Sequence, residues 1–215
     1  MDEFLKKYPL FNQLDVSRET CLEFEEFTSM IIKKNKKINI ISKETSTNNI
    51  IMNRHIADSA QIYDFIDLNC NTTSDLGSGG GFPGIVIAII IKNLKNKIKV
   101  KLYEKSYHKR KFLEEVSRKL KLDTEIIHKD IFDAKDSKPE TIMARAFKPM
   151  PVVLNLVQEN FKNFKNLILF MGKNGKRTLK ESQLDWDFDY TEKKSVTSKE
   201  SFLLNIKNIK KKFLN

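Results

Sequence analysis

Five of the chain's seven glycines, Gly77, Gly79, Gly80, Gly81 and Gly84, fall in eight positions of the run SDLGSGGGFPG at residues 74–84. Glycine is required where the backbone takes positive φ or where another molecule lies against the main chain. Ser74-Asp75-Leu76 reads as the end of a strand, and the apolar run 85–91 reads as a helix starting near Pro83, whose missing N–H has no intrahelical partner in a first turn. Free N–H groups at such a start favour the electron-rich end of a nucleotide-like ligand. Glu104 stands 27 residues after Gly77, at the end of the alternating run 98–104. A carboxylate there accepts both hydroxyls of a ribose. Asp130 and Ile131, just past a short strand, offer one polar and one apolar flank to an adenine. Arg145 closes another strand, and Arg54 and Asp58, like His55 and Ser59, stand four apart and share a face if helical. For His55 a structural hydrogen bond and a catalytic role both stay open.

Elements alternating in type must position these groups. Residues 1–65 read as helical, with Ser17 as N-cap, Thr20 in a partial capping box, and Leu22, Phe24, Phe27, Met30 and Ile31 at core spacing. After the glycine turn, strands are expected at 98–104, 125–128, 142–144 and 167–171, and helices at 108–122 and 152–157. Two further strands, 187–191 and 202–206, lie close together near the C-terminus. This alternation predicts an α/β fold with a mostly parallel sheet covered on both faces and one antiparallel edge strand. Two parts are expected: an N-terminal helical extension over 1–70 and one compact unit over 71–215. Ligands of such sheets sit beyond the carboxyl ends of the strands, where Asp75, Glu104, Asp130 and Arg145 fall.

The bulk numbers narrow the partners. Lys plus Arg (39) against Asp plus Glu (28) leaves a net charge of +11. That field attracts nucleic acid first and anionic membrane second; a composition rich in Lys, Asn and Ile for genomic reasons accounts for it equally well. The run 85–91 is shorter than the roughly 20 residues that a membrane span needs. The N-terminus lacks a signal-peptide layout, and Cys21 and Cys70 lie far apart outside any CxxC, so a reduced cytoplasm is the default. No metal and no membrane partner is expected, and a monomer is the default.

The glycine run satisfies GxGxxG at 79–84, a weak pattern alone, and has no GK[ST] of a P-loop. Its fuller form, Asp-x-Gly-x-Gly-x-Gly with an acid before the turn, looks like the first motif of class I S-adenosylmethionine methyltransferases, whose fold is Rossmann-like. NRHIADS, DLGSGGGFPGI, LYEKSYHKRKFLEEV and ARAF follow in that order. Over roughly residues 35–175 this is similar to the bacterial small-subunit ribosomal RNA methyltransferase G family, also called glucose-inhibited division protein B. The resemblance implies transfer of a methyl group from S-adenosylmethionine to N7 of one guanosine in 16S ribosomal RNA, as free RNA or within the small ribosomal subunit. It implies cofactor positions at Gly77, Phe82, Asp130, Ile131 and Arg145, with Glu104 as the ribose acid. The chain departs from the family at Asp130-Ile131, where Ala-Glu is frequent, and at Met171, where a lysine usually precedes Gly172; here Lys173 follows it.

For Arg145, holding the cofactor or the guanosine phosphate competes with a salt bridge that locks the strand end. Lys33–Lys37, Arg54, Lys109, Arg110, Lys111 and Lys173 are candidate phosphate contacts, with a solvated helix end as the alternative at 33–37. RNA binding through them weakens steeply with salt. Phe147 is either core or a stacking surface for an unpaired base. Two rival classes use the same shell: a nicotinamide-dependent oxidoreductase, whose ribose acid lies about 20 residues beyond the glycines, and a non-catalytic RNA-binding protein.

Overall fold

The computed structural model describes residues 9–14, 16–134, 140–161 and 163–212. The helical expectation for residues 1–8 lies outside the described residues. Helices α1 (Pro9–Gln13) and α2 (Arg18–Asn35) open the chain. Ser17 caps α2 as expected, its Oγ accepting the Thr20 N–H at 3.1 Å. Thr20 completes no capping box; its hydroxyl donates to Asn93 Oδ1 at 2.6 Å and ties α2 to the end of a later helix. Phe24, Phe27 and Ile31 are buried, whereas Leu22 faces solvent at 54% exposure. Single α-helical turns, Asn48–Ile50 and Asp58–Ala60, flank a π-helical segment, Ile51–Ala57.

The sheet then builds from β1 (Thr72–Leu76), β2 (Lys99–Tyr103), β3 (Thr124–Ile127), β4 (Thr141–Ala144), β5 (Asn166–Met171), β6 (Trp186–Lys194) and β7 (Phe202–Lys211). Helices α3 (Gly84–Asn93), α4 (Tyr107–Lys119), α5 (Met150–Asn160) and α6 (Gly175–Asp185) connect them. The strand order is β3-β2-β1-β4-β5-β7-β6. The first five strands pair in parallel, and β7 runs antiparallel to both β5 and β6. The antiparallel component expected at one edge is thus β7, slotted between β5 and β6. A short connection between β6 and β7 allows antiparallel pairing only, since parallel neighbours need a long crossover. Helix α6 has no counterpart among the expected elements, because eight of its eleven residues are polar or charged and only Gly175, Leu179 and Ser182 are buried.

Helix α3 dictates how the N-terminal helices sit. Every residue from 84 to 91 is buried. A helix apolar all round must be covered on every side. The sheet covers one side; α2 and the 48–60 segment join the same hydrophobic cluster from the other, through Phe24, Phe27, Ile31, Ile51 and Ile56. Each fully buried Ile is worth roughly 1.5–3 kcal/mol over exposure. Uncovering several would consume a domain's whole stability margin, about 5–15 kcal/mol. The opposite face of the sheet is covered by α5 and α6. No described helix is long and apolar enough to cross a membrane.

Candidate functional site

The turn after β1 is built by backbone conformation and two carboxylates. Gly77, Gly79 and Gly81 take φ of 73°, 55° and 94°, the left-handed region that other L-residues avoid. A side chain at Gly77 is excluded twice, since a Cβ there lies 2.3 Å from the Phe147 ring. Asp75 is fully buried, and its Oδ2 accepts the Gly84 N–H at 3.0 Å. Burial pushes its carboxyl up to about 7, against the opposing pull of hydrogen bonds from Gly84 and Ser78 and the charge of Arg145. Pro83 is the N-cap of α3 and Gly84 its first residue. The first N–H of α3, expected to face a ligand, is therefore taken by Asp75. Glu104 closes the turn from the end of β2. Its Oε2 accepts the Gly79 N–H at 2.8 Å and its Oε1 the Ser106 N–H at 2.7 Å. A carboxylate has about four acceptor positions, so two remain for ligand hydroxyls.

Beside this turn lies a cleft of about 400 Å³, lined by Gly77, Gly79, Glu104, Lys109, Asp130, Ile131 and Phe147 among others. The parallel register sets Leu76 beside Tyr103, so the glycines and Glu104 emerge side by side. Asp130 Oδ1 accepts the Phe132 N–H at 3.3 Å, and its Oδ2 lies 3.8 Å from Lys105 Nζ. Asn160 Nδ2 donates to the Ile131 and Phe132 carbonyls at 3.1 and 2.9 Å, fixing that corner from α5. Phe147 is partly exposed on the cleft wall, stacked near Phe132 at 6.4 Å between ring centroids.

Phe82 and Arg145 do not line this cleft. Phe82 is buried between Phe27 and His55, at centroid distances of 5.4 and 4.9 Å. Arg145 turns to the NRHIADS segment: Nε pairs with Asp58 Oδ2 at 3.1 Å, Nη2 donates to the Arg54 carbonyl at 2.6 Å, and Nη1 meets His55 Nδ1 at 3.2 Å. The ion pair weighed as the alternative for Arg145 is formed. Burial lowers the arginine's pKa, with Asp58 pulling the other way. The guanidinium also borders a second cavity of about 590 Å³, with Arg54, His55, Asp58 and Phe170. Ala146 lines both cavities and takes φ of 48°, a strained conformation of the kind that clusters at functional sites.

An arginine only donates, so His55 Nδ1 accepts and the ring proton sits on Nε2, which is buried without a partner among the described residues. Ser59 Oγ is likewise unpartnered, so the His55–Ser59 contact that helical spacing implies is not made. The π-helical turn, bonded i to i+5, shifts residues four apart off one another. Burial, then Arg145 and Arg54, lower the His55 pKa from 6.5 to about 4. Between these values the unfolded chain binds the extra proton, so this stabilisation is complete above pH 6.5 and is lost as pH falls toward 4. Urea unfolding between pH 6.5 and 4 is expected to show a steeper loss for wild type than for His55→Gln.

The predicted RNA contacts divide. Lys109 lines the cleft and Arg54 the second cavity. Arg110 is held over the Tyr107 ring at 5.4 Å and 3.8 Å from Glu114, and Lys111 pairs with Glu114 at 2.7 Å. Lys173 is exposed and 4.0 Å from Glu200. Lys33, Lys34 and Lys37 line a surface groove, where Lys34 pairs with Glu115 at 3.1 Å. Asp58 was visible only as a neighbour of Arg54; its partner Arg145 is far along the chain, and no local pattern announces the pair. Among the described residues no group of three or more His, Cys, Asp or Glu side chains is placed to hold a metal ion.

The sheet order is that of the class I S-adenosylmethionine-dependent methyltransferase fold. A solved SAM-dependent methyltransferase from Aquifex aeolicus has this fold, with a TM-score of 0.55 and 15% identity, covering 81% of this chain and 97% of that one. Residues 20–207 match the family model described as rRNA small subunit methyltransferase G. Ribosomal RNA small subunit methyltransferase G of Pelagibacter ubique (strain HTCC1062) is 59% identical over 212 residues, covering 99% of this chain and 100% of the relative. The protein of that name from Bartonella henselae is 36% identical over 197 residues, covering 91% and 90%. The chain belongs to the rRNA small subunit methyltransferase G family.

Proposed function

We propose that this enzyme transfers a methyl group from S-adenosylmethionine to N7 of a specific guanosine in 16S ribosomal RNA, acting in the cytoplasm on the small ribosomal subunit or its RNA. One observation carries the proposal: the cleft holding Gly77, Gly79, Glu104, Asp130 and Ile131 shares Ala146 as a lining residue with a second cavity. Donor and acceptor thus have adjoining places.

The residues present fit the cofactor. Glu104 keeps acceptor positions free for ribose hydroxyls, Asp130 presents a carboxylate and Ile131 an apolar surface to an adenine. The bare main chain at Gly77 admits a close approach that a side chain would block. When bound, S-adenosylmethionine supplies an electrophilic methyl on its sulfonium. Guanine N7 has a lone pair and no proton, so this chain need not supply a general base. Neutral His55, with Nδ1 engaged by Arg145, suits that requirement. What the residues contribute is alignment, for which well-oriented reactants gain about 7–11 kcal/mol of barrier. A nicotinamide cofactor is disfavoured, because its pyrophosphate belongs at a helix N-terminus and the Asp75 carboxyl already occupies that of α3.

The test is methyl transfer from labelled S-adenosylmethionine to small subunits and to free RNA, followed by mapping of the modified base. A single N7-methylguanosine in 16S RNA is expected. Binding of RNA with no transfer to either substrate would favour the non-catalytic reading.

A further inference from the structure

We infer that the turn between β6 and β7, residues 195–201, forms one wall of the pocket for the acceptor nucleotide, and that Asp58 is the positioning residue that clasps it there. The inference rests on the methyl-transfer reading above.

Asp58 works in two directions. Its Oδ2 holds Arg145 Nε at 3.1 Å. Its Oδ1 accepts from Thr197 Oγ1 at 2.8 Å, from Gln61 Nε2 at 2.7 Å and from Ser195 Oγ at 3.4 Å. Gln61 extends the clasp, its Oε1 accepting the Val196 N–H at 3.0 Å and its carbonyl accepting from Lys193 Nζ at 3.1 Å. A hairpin turn at a sheet edge ordinarily lies free in solvent. This one is tied down by a set of polar contacts, while Val196 stays 57% exposed. The tether closes one side of the 590 Å³ cavity.

The chemistry of that cavity suits a nucleotide. Ser198 and Ser201 bring hydroxyls from the turn, Arg54 brings a cation for a phosphate, and Phe170 brings a ring to the lining. Bases taken out of a stack are read by ring surfaces and hydrogen bonds of this kind. Ala146 lines both this cavity and the cleft assigned to the methyl donor. One carboxylate therefore sets both Arg145 and the facing wall.

Thr197→Val removes the hydroxyl from Asp58 at similar volume, and Thr197→Ser keeps it. With the full chain, labelled S-adenosylmethionine and small ribosomal subunits, Thr197→Val is expected to raise KM for the subunits by roughly fivefold to tenfold. Affinity for S-adenosylmethionine should stay at its wild-type value while Tm falls by only about 2–6 °C, and Thr197→Ser should restore KM. Exposed Ser198 provides a second variant that does not depend on the clasp: Ser198→Trp fills the cavity and should raise KM in the same way. Unchanged KM in both Val and Trp variants, or an equal loss of S-adenosylmethionine affinity, would overturn the inference and leave the methyl-transfer reading intact if wild type is active. A wild type that methylates neither subunits nor RNA would overturn both.

Discussion

Arg145→Ala is expected to lower stability by about 3 kcal/mol and to abolish methyl transfer. Removing one member of a buried, hydrogen-bonded ion pair typically costs about 3–5 kcal/mol, because the other charge is left without its partner. Here both side chains are largely covered, at 18% and 15% exposure. Asp58 keeps its bonds from Thr197, Gln61 and Ser195, which puts the effect at the lower end. For a chain of this size the loss corresponds to roughly 6–12 °C in Tm, read by thermal unfolding. The guanidinium also holds the Arg54 carbonyl and His55 Nδ1. Its removal leaves the segment beside the second cavity without its anchor. Arg145→Lys should recover part of the stability through Asp58 but not the transfer, since an ammonium lacks the planar fork that serves three partners. A folded Arg145→Ala protein with normal turnover would remove this residue from the site.

Glu104→Gln is expected to weaken S-adenosylmethionine binding by roughly ten- to a hundredfold, measured by calorimetry. Hydrogen bonds to a charged group are worth about 1.5–3 kcal/mol, where 1.4 kcal/mol is a factor of ten. Two effects add. The ribose loses its anionic acceptor. The turn loses a clamp as well, because Glu104 uses one oxygen for the Gly79 N–H and the other for the Ser106 N–H. A glutamine offers one oxygen and one NH₂ and cannot accept both. Unaltered affinity would place the ribose elsewhere in the cleft.

The glycine-rich run declared the centre of the molecule without help, and the structure shows why so short a signal sufficed. Three positive φ values in five residues restrict the chain to glycine there, whatever surrounds it. The period-two run at 98–104, the helical face at 108–122 and short apolar runs elsewhere likewise placed β1 to β5, α3 and α4 to within a few residues, because each reports which local stretch or face is apolar. Local patterns missed α6, whose sequence is polar with one buried leucine. They also misjudged Leu22, which matches the spacing of its neighbours but lies beyond the arc that α3 covers.

Gly77, Glu104, Asp130 and Ile131 were readable as neighbours because strands in a parallel sheet release their residues at one edge. Phe82 and Arg145 belong to the same motifs yet face away from that cleft, toward His55 and Asp58. Which way a side chain turns depends on the partner awaiting it: His55 stands 27 positions before Phe82, and the partners of Arg145 stand about 90 positions before it. The same holds for Asp75, drawn inward by the Gly84 N–H, and for Thr197, which meets Asp58 across 139 positions. The order of residues along the chain therefore determined the glycine turn, the alternation of elements and the line of groups at the strand ends, all matters of local backbone preference and apolar period. Tertiary packing alone decided which of those groups share a cavity, because ion pairs and hydrogen bonds between distant segments form only after burial of α3 has brought the segments together.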